Sequence, residues 1–358
     1  MTAINKRFHS LWIVLVIAAM LLPGCAPSEQ DCTKPETFCV GLVTGFGKID
    51  DGSLDQLAWD GLQQAGHDLG ARVSYIQSVS TNDIEKNIET FARAGYDVIV
   101  TVGYEQKKVT IAEAKKYPST DFIGVDQPQD PDKTLPRNLA GLAFSEEQAG
   151  FMAGALAAQM TVSKKVGVVC GPSWFPPALG YSTGFKAGAN YVSPAVAATI
   201  TCHNDLAFNA NMNDPIWDAL TANAMIDNGV DVVFGAAGLY NQNSALSTAA
   251  KRKVYAIGVE VDQYQTLGDA RKTLLSSVVK QVAAGVFDLI KSAKQGTFQG
   301  GEFLGQVAYA PLHDLADRVP ARVKSKMKQI QKKLADGTLD PENPNATPTP
   351  ISPKAVKP

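Results

Sequence analysis

Acidic residues that follow short apolar runs have the clearest chemical potential in this sequence. Asp126 follows the run FIGV, and Glu260 follows the run YAIGV. In open α/β sheets, ligands bind beyond the carboxyl ends of the strands, and an ionised carboxylate accepts hydrogen bonds through both oxygens. The two acids therefore predict a pocket for a small, sugar-like ligand that offers hydroxyl groups. Each acid alone could instead cap a helix or bind water.

Two further glycine-rich or polar segments follow other apolar runs and add to this prediction. The first, 44–62, contains Asp50 and Asp51 as acceptors and glycines that permit sharp loops. The second is 235–243, and Asp126 and Glu260 themselves lie in the polar segments 124–127 and 258–263. Several such segments at successive strand ends favour a binding cleft over isolated helix caps.

Motifs for catalysis are missing from the sequence. The chain has four scattered histidines and neither an H-E-x-x-H nor a G-x-S-x-G motif. Segment 41–48 has five residues between its glycines and lacks the Ser or Thr that a phosphate-binding loop requires after its lysine. We expect no catalytic residue, metal or cofactor. A metal-dependent exported nucleoside hydrolase that uses Asp50, Asp51, Asp55 and Asp126 is the least favoured alternative.

Short apolar runs alternate with helical patterns along most of the chain, which predicts βαβ units and parallel sheets. The pattern occurs twice in succession, so we expect two similar α/β halves. Elements beyond the second half suggest that the chain crosses back to the first. The runs are 39–44, 73–77, 97–102, 122–126 and 139–144 in the first half and 166–170, 197–202, 231–237 and 254–260 in the second.

The N-terminal residues have the pattern of a secretory signal. Lys6 and Arg7 precede the apolar run 11–22, which is shorter than the roughly 20 residues that span a bilayer. Leu22-Pro23-Gly24-Cys25 then resembles a bacterial lipobox. We expect residues 1–24 to be removed and Cys25 to carry lipid, with 25–38 as a tether outside the cell membrane. An uncleaved membrane anchor is the alternative.

The remaining four cysteines agree with an oxidising compartment. We expect the disulfides Cys32–Cys39 and Cys170–Cys202, with buried free thiols as the alternative. The formal net charge of −2 leaves no basic stripe, which argues against nucleic acid as a partner. Residues 318–334 predict an exposed basic helix, and the proline-rich tail 341–358 is predicted to be disordered.

The series of segments, in this order, resembles the basic membrane protein family. These are substrate-binding lipoproteins of ABC transporters, including purine nucleoside receptors. The segments that carry the resemblance are I-D-D-x-S-x-x-Q after the first strand, then IGVDQ, FGAAG, IGVEVDQ and SSVVK. The resemblance implies a type I periplasmic binding-protein fold, with two Rossmann-like lobes and parallel sheets around a central ligand cleft. It further implies an ABC permease and ATPase as partners and a monomeric protein. Binding of another small solute, or a ligand-sensing receptor domain, is the alternative.

The resemblance also implies site residues. Asp51, Asp126, Gly238, Glu260 and Lys280 match the polar positions of the family, although the family has aspartate where this chain has Glu260. The polar frame therefore implies a nucleoside or a related ligand.

Two stacking positions of the family differ in this chain. Leu54 and Met212 stand where the family usually has aromatic residues that stack on the base. Phe46, Trp174 or Tyr240 could supply a replacement ring. Leu54 and Met212 could also still sandwich a flat ring, Met212 through its sulfur.

The expected boundaries follow from the two halves. Lobe 1 comprises 39–143 and about 264–300, and lobe 2 comprises 144–263 and about 301–340.

Overall fold

Two six-stranded sheets form the framework of the protein. The computed structural model describes residues 32–45, 48–130, 135–203, 214–236 and 244–344. The first sheet contains β1 (Cys39–Val43), β2 (Arg72–Ile76), β3 (Val98–Val102), β4 (Asp121–Val125), β5 (Leu139–Phe144) and β11 (Gly301–Gly305). The second contains β6 (Lys165–Cys170), β7 (Ala197–Cys202), β8 (Val232–Ala236), β9 (Tyr255–Glu260), β10 (Leu274–Lys280) and β12 (Val307–Tyr309).

Helices connect successive parallel strands, as the alternating sequence pattern predicts. The first sheet has the order β11-β5-β4-β3-β1-β2, and the second has the equivalent order β12-β10-β9-β8-β6-β7. The pairs in the first sheet are parallel, and β12 is antiparallel to β10 in the second. The α/β class with two similar halves is therefore confirmed.

The helices are α1 (Leu54–Leu69), α2 (Thr81–Arg93), α3 (Lys107–Lys116), α4 (Glu146–Met160), α5 (Pro176–Val192), α6 (Pro215–Asp227), α7 (Ser244–Lys251), α8 (Val282–Lys294) and α9 (Ala321–Ala335). None of the described helices is long and apolar enough to cross a bilayer.

The chain passes between the lobes at three places, and this differs from the expected boundaries. β10 pairs with β9, so residues 274–280 lie in lobe 2 and not in lobe 1. α8 then packs on α1 of lobe 1, and β11 pairs with β5, so residues 301–305 belong to lobe 1 and not to lobe 2. β11 lies at the edge of its sheet, and β10 lies one strand in from the edge of the other. The hydrophobic pattern of a strand does not show which sheet it joins, so sequence periodicity could not assign either strand.

Helices α4 and α5 of lobe 2 pack with their backbones in contact. A Cβ at Gly154 or Gly188 would overlap the carbonyl oxygen of Phe185 or Phe151 on the other helix. Small residues thus allow an approach that larger side chains would prevent, and they fix the two helices as one unit.

The region expected to be an exposed basic helix forms α9, which is amphipathic. Val323, Met327, Ile330 and Leu334 are buried, and the helix packs on α4. The expected exposure was therefore wrong for the apolar face of the helix. Apolar residues spaced three or four apart form this face, and they bury it against the protein.

Both expected disulfides are present in the structure. Cys32–Cys39 ties the segment that precedes β1 to the first residue of that strand. Cys170–Cys202 joins the last residues of β6 and β7, which are partners in the sheet register. The second disulfide therefore fixes two neighbouring strand ends at the edge where ligands bind in this class of sheet.

We predict that Gly154→Ala lowers the free energy of unfolding by about 1–3 kcal/mol, because the new methyl group forces α4 and α5 apart. Urea unfolding followed by circular dichroism measures this change. The matched control is Gly66→Ala in α1, where the added methyl group makes ordinary contacts and should be neutral or stabilising. Equal stability of the Gly154 variant and the wild type would contradict the proposed helix contact.

Candidate functional site

A buried ammonium group lies among three carboxylates where the two lobes meet. The Lys280 Nζ atom is 2.8 Å from Asp126 Oδ1, 2.9 Å from Glu146 Oε1 and 3.6 Å from Glu260 Oε1. The side chain of Lys280 is only 1% exposed. Asp126 comes from lobe 1, whereas the other three residues belong to the framework of lobe 2. We name these four residues the cleft cluster.

Matching loops in the two lobes place the acids of the cleft cluster. Asp126 directly follows β4, Glu260 is the last residue of β9, and both have positive φ angles, of 59° and 68°. Positive φ is uncommon for residues other than glycine and often occurs at functional sites. A glutamine after each acid fixes the loop: Gln127 Nε2 donates to Thr101 Oγ1, and Gln263 Oε1 accepts from the Val259 N–H.

The remaining members of the cleft cluster lie at crossings between the lobes. Lys280 ends β10 directly before the second crossing, and Glu146 begins α4 directly after the first. Ser145 caps α4 by accepting a hydrogen bond from the Gln148 N–H. A carboxylate in the first turn of a helix is also favoured by the helix dipole, so the local sequence holds Glu146 in place.

Burial and charge shift the protonation equilibria of the cleft cluster. Burial raises the pKa of Glu260 to about 7; Lys280 opposes this rise, and the charges of Asp126 and Glu146 add to it. Burial also raises the pKa of Glu146. For Lys280, burial acts to lower the pKa, but the surrounding acids raise it well above its ordinary value. The lysine is therefore a fixed cation, and burial brings the pKa of Glu260 close to neutral pH.

A second acidic group lies at neighbouring strand ends of lobe 1. Glu105 follows β3, and its carboxyl Oε1 is buried without a hydrogen-bond partner among the described residues. Burial raises the pKa of Glu105 to about 7, and the charges of Asp55 and Asp126 contribute to the rise. Asp55 itself is buried and accepts a hydrogen bond of 2.8 Å from the Gly45 N–H.

Aromatic rings from the two lobes also meet at this edge. Tyr104, after β3, contacts Phe175, after β6, edge to face with a centroid distance of 5.5 Å. Trp174 lies 6.2 Å from Phe175 and is 49% exposed. β3 and β6 border the positions where the strand order reverses in each sheet, which are the usual ligand positions in doubly wound folds.

The structure brings together Asp126, Glu260 and Lys280 among the predicted site residues. Asp51 is exposed and accepts hydrogen bonds from the backbone N–H groups of Lys48 and Ser53, so its carboxylate shapes its own loop. Leu54 is 5% exposed and packs in the hydrophobic core. Phe46, Met212, Gly238, Tyr240 and Cys25 lie outside the described residues.

Sequence reasoning missed Glu146, Glu105 and Tyr181. Glu105 and Glu146 come shortly after the ends of β3 and β5, so the strand-end rule that identified Asp126 applies to both. Tyr181 lies inside α5, and within the part of the chain that the structure describes its buried hydroxyl has no hydrogen-bond partner. Its ring centroid is 5.8 Å from Lys280 Nζ. Only the tertiary packing of α5 reveals this position.

A cavity of about 690 Å³ lies elsewhere, between α8 and β11 in lobe 1. Its lining includes Leu142, Phe303 and Leu304, with Asp288 as an ionisable group. A recognition site for a polar ligand requires convergent polar groups, and these lie in the cleft cluster. We therefore place the candidate site between the lobes.

We predict that Lys280→Met destabilises the protein by about 3–5 kcal/mol at pH 8, because three buried carboxylates lose their cation. The loss should be smaller at pH 5, because protonation then removes the repulsion among the acids. Thermal unfolding at both pH values measures the difference. Lys272→Met is the control, since it removes an exposed ion pair to Asp269 and should change stability little. An identical loss at pH 5 and pH 8 would contradict the electrostatic explanation.

Comparisons with known proteins agree with this architecture. The chain is 30% identical to the "CD4+ T-cell-stimulating antigen" of Listeria monocytogenes, over 95% of this chain and all of the relative. It is 25% identical to the "ABC transporter nucleoside-binding protein BmpA" of Lactococcus lactis, over 94% of this chain and 98% of the relative.

The fold is similar to that of a solved ABC transporter solute-binding protein from Conexibacter woesei. The TM-score is 0.71 at 21% identity, over 85% of this chain and 98% of the solved one. The family model for PnrA-like ABC transporter substrate-binding proteins matches residues 39–306. The chain therefore belongs to the Bmp family of ABC transporter substrate-binding proteins.

Proposed function

We propose that the protein captures a purine-like nucleoside between its lobes. The single observation that carries this proposal is the cleft cluster, in which acids from both lobes surround one ammonium group. The name of the Lactococcus lactis relative supports the choice of nucleoside.

We propose a role for each group of the cleft cluster. Asp126 and Glu260 accept hydrogen bonds from ribose hydroxyl groups, since each carboxylate offers two oxygens. Lys280 keeps both carboxylates from repelling each other at close range. Because these acids belong to different lobes, a ligand that bonds to both favours the closed arrangement and couples binding to hinge closure.

A base also needs a flat contact surface, which contributes about 1–3 kcal/mol per base when it is aromatic. The side chain of Leu54 packs in the hydrophobic core and therefore does not provide this surface. Tyr104 and Phe175 are the aromatic residues that meet between the lobes, and Trp174 lies beside them. We propose that this aromatic group, with Met212 and Phe46 as further candidates, contacts the base.

The cellular setting follows from the sequence. We propose that Cys25 carries the lipid, that the protein is held outside the cell membrane, and that it acts as a monomer. It delivers its ligand to an ABC permease and ATPase and does not convert it chemically. Asp51 and Gly238 remain proposed binding residues through the family resemblance, and Asp51 acts by shaping its loop.

We predict that adenosine, guanosine or inosine binds the protein with a change in tryptophan fluorescence, and that Asp126→Ala weakens binding at least 100-fold. Isothermal titration calorimetry measures the affinity, and uridine tests the preference for purines. Asp269→Ala, at an exposed position in lobe 2, should bind as the wild type does. Failure of all four nucleosides to bind would refute the proposed ligand, and released base and ribose would indicate a hydrolase.

We predict that Cys25→Ser releases the protein from the membrane fraction, because the thiol that accepts the lipid is lost. Fractionation of cells that express the full chain, with immunodetection, measures the distribution. Cys32→Ser serves as the comparison, since it breaks a disulfide and leaves Cys25 intact. Retention of the Cys25 variant in the membrane would favour an uncleaved anchor.

A further inference from the structure

We propose that Glu260 releases a proton when the protein captures its nucleoside, so that binding is coupled to pH near neutrality. This inference rests on the proposed function and adds a form of regulation to the same site. It depends on the excess of acids over cations in the cleft cluster and on the incomplete pairing of Glu260.

The first step is the charge balance around Lys280. Three carboxyl groups lie within 3.6 Å of its Nζ atom, and this lysine is the one cation in contact with them among the described residues. Asp126 and Glu146 lie at 2.8 and 2.9 Å and pair closely with the ammonium group. With both ionised, the positive charge is already balanced, and a third buried carboxylate is unfavourable.

The second step is the position of Glu260. Its Oε1 atom is 3.6 Å from Lys280 Nζ, which is too long for a hydrogen bond. Its side chain is 12% exposed, whereas that of Lys280 is 1% exposed. Glu260 is therefore the least closely paired acid of the cleft cluster, and it keeps acceptor capacity for a ligand.

The surroundings of Glu260 come from four elements. Lys280 lies on β10, Asp126 follows β4, Glu146 begins α4, and Tyr181 on α5 places its ring against the lysine. The pKa of Glu260 is raised to about 7 chiefly by burial, with Asp126 and Glu146 adding to it and Lys280 opposing it. A pKa in this range allows Glu260 to take up or release a proton near neutral pH.

The ligand changes this balance through its hydrogen-bond donors. A hydroxyl group donates more strongly to an ionised carboxylate than to a protonated one. Binding therefore stabilises the ionised form and lowers the pKa of Glu260. The proton of Glu260 passes to the solvent, and the ionised carboxylate then accepts a hydrogen bond from the ligand hydroxyl group. By linkage, affinity rises with pH until Glu260 is already ionised in the free protein.

Calorimetry on the whole chain tests this inference with the nucleosides adenosine, guanosine, inosine and uridine, none of which changes protonation between pH 6 and pH 8. For the nucleoside that binds most tightly, we expect the Kd to be about tenfold higher at pH 6 than at pH 8. Titrations in phosphate and in Tris at one pH give the number of protons released, which should approach one at pH 6 and fall towards zero at pH 8.

Three variants test which residue releases the proton. Glu260→Gln should remove proton release and bind with a Kd that is independent of pH, whereas Asp269→Asn should behave as the wild type does. Loss of the pH dependence in Glu105→Gln and its persistence in Glu260→Gln would overturn the assignment. If the Glu260 variant does not fold, Glu105→Gln still decides: proton release that persists in it agrees with Glu260 as the source, and its loss overturns the assignment.

The outcomes also separate the two proposals. Nucleoside binding without proton exchange, or with proton uptake, overturns the inference on Glu260 and leaves the proposed ligand intact. Absence of binding at every pH overturns both.

Discussion

The buried ammonium group of Lys280 is the interaction on which the arrangement of the two lobes depends. It contacts Asp126 of lobe 1 at 2.8 Å and Glu146 of lobe 2 at 2.9 Å. Breaking a buried charge pair is costly because the remaining charge is left in a medium that solvates it poorly. The backbone also holds Lys280 and Glu146 in place, because Lys280 is the last residue of β10 and Glu146 is the first residue of α4.

The single cation of the cleft cluster belongs to lobe 2, whereas both lobes contribute acids. Lys280, Glu146 and Glu260 belong to lobe 2 and carry one net negative charge when all are ionised. Asp126 and Glu105 follow strands of lobe 1, and Asp55 lies in the first turn of α1. The acidic groups of the two lobes thus approach each other when the lobes close, and hydrogen-bond donors are needed between them. A hydroxyl-rich ligand meets this requirement, and a protonated carboxyl group meets part of it when the cleft is empty.

Much of this architecture follows from the sequence, because its signals are local. Runs such as VIVTV and YAIGVE, separated by helical patterns, predict buried parallel strands, and the rule for strand ends locates Asp126 and Glu260. The disulfide pairing also agrees with the short spacing and strand-end positions of the cysteines.

The unpredicted features depend on long-range packing. The assignment of β10 and β11 to their sheets depends on the strands with which they pair, and the local hydrophobic pattern does not show these partners. Tyr181 is a residue of the cleft only because α4 and α5 approach closely. Leu54 was expected to replace a stacking ring at the ligand, but a leucine at the start of an amphipathic helix can equally face the core, which it does.

The positions of the three crossings have a mechanical consequence for lobe opening. The crossings follow β5, β10 and β11, so a hinge axis through them lies beside Lys280 and Glu146. With strands about 5 Å apart, Asp126 lies about one strand spacing from that axis, Tyr104 about two and Phe175 about three. A given rotation therefore separates the aromatic rings two to three times as far as it separates the ion pair. The rim of the cleft opens widely while the charges near the axis stay close, so a ligand can leave before the electrostatic contact between the lobes is fully lost.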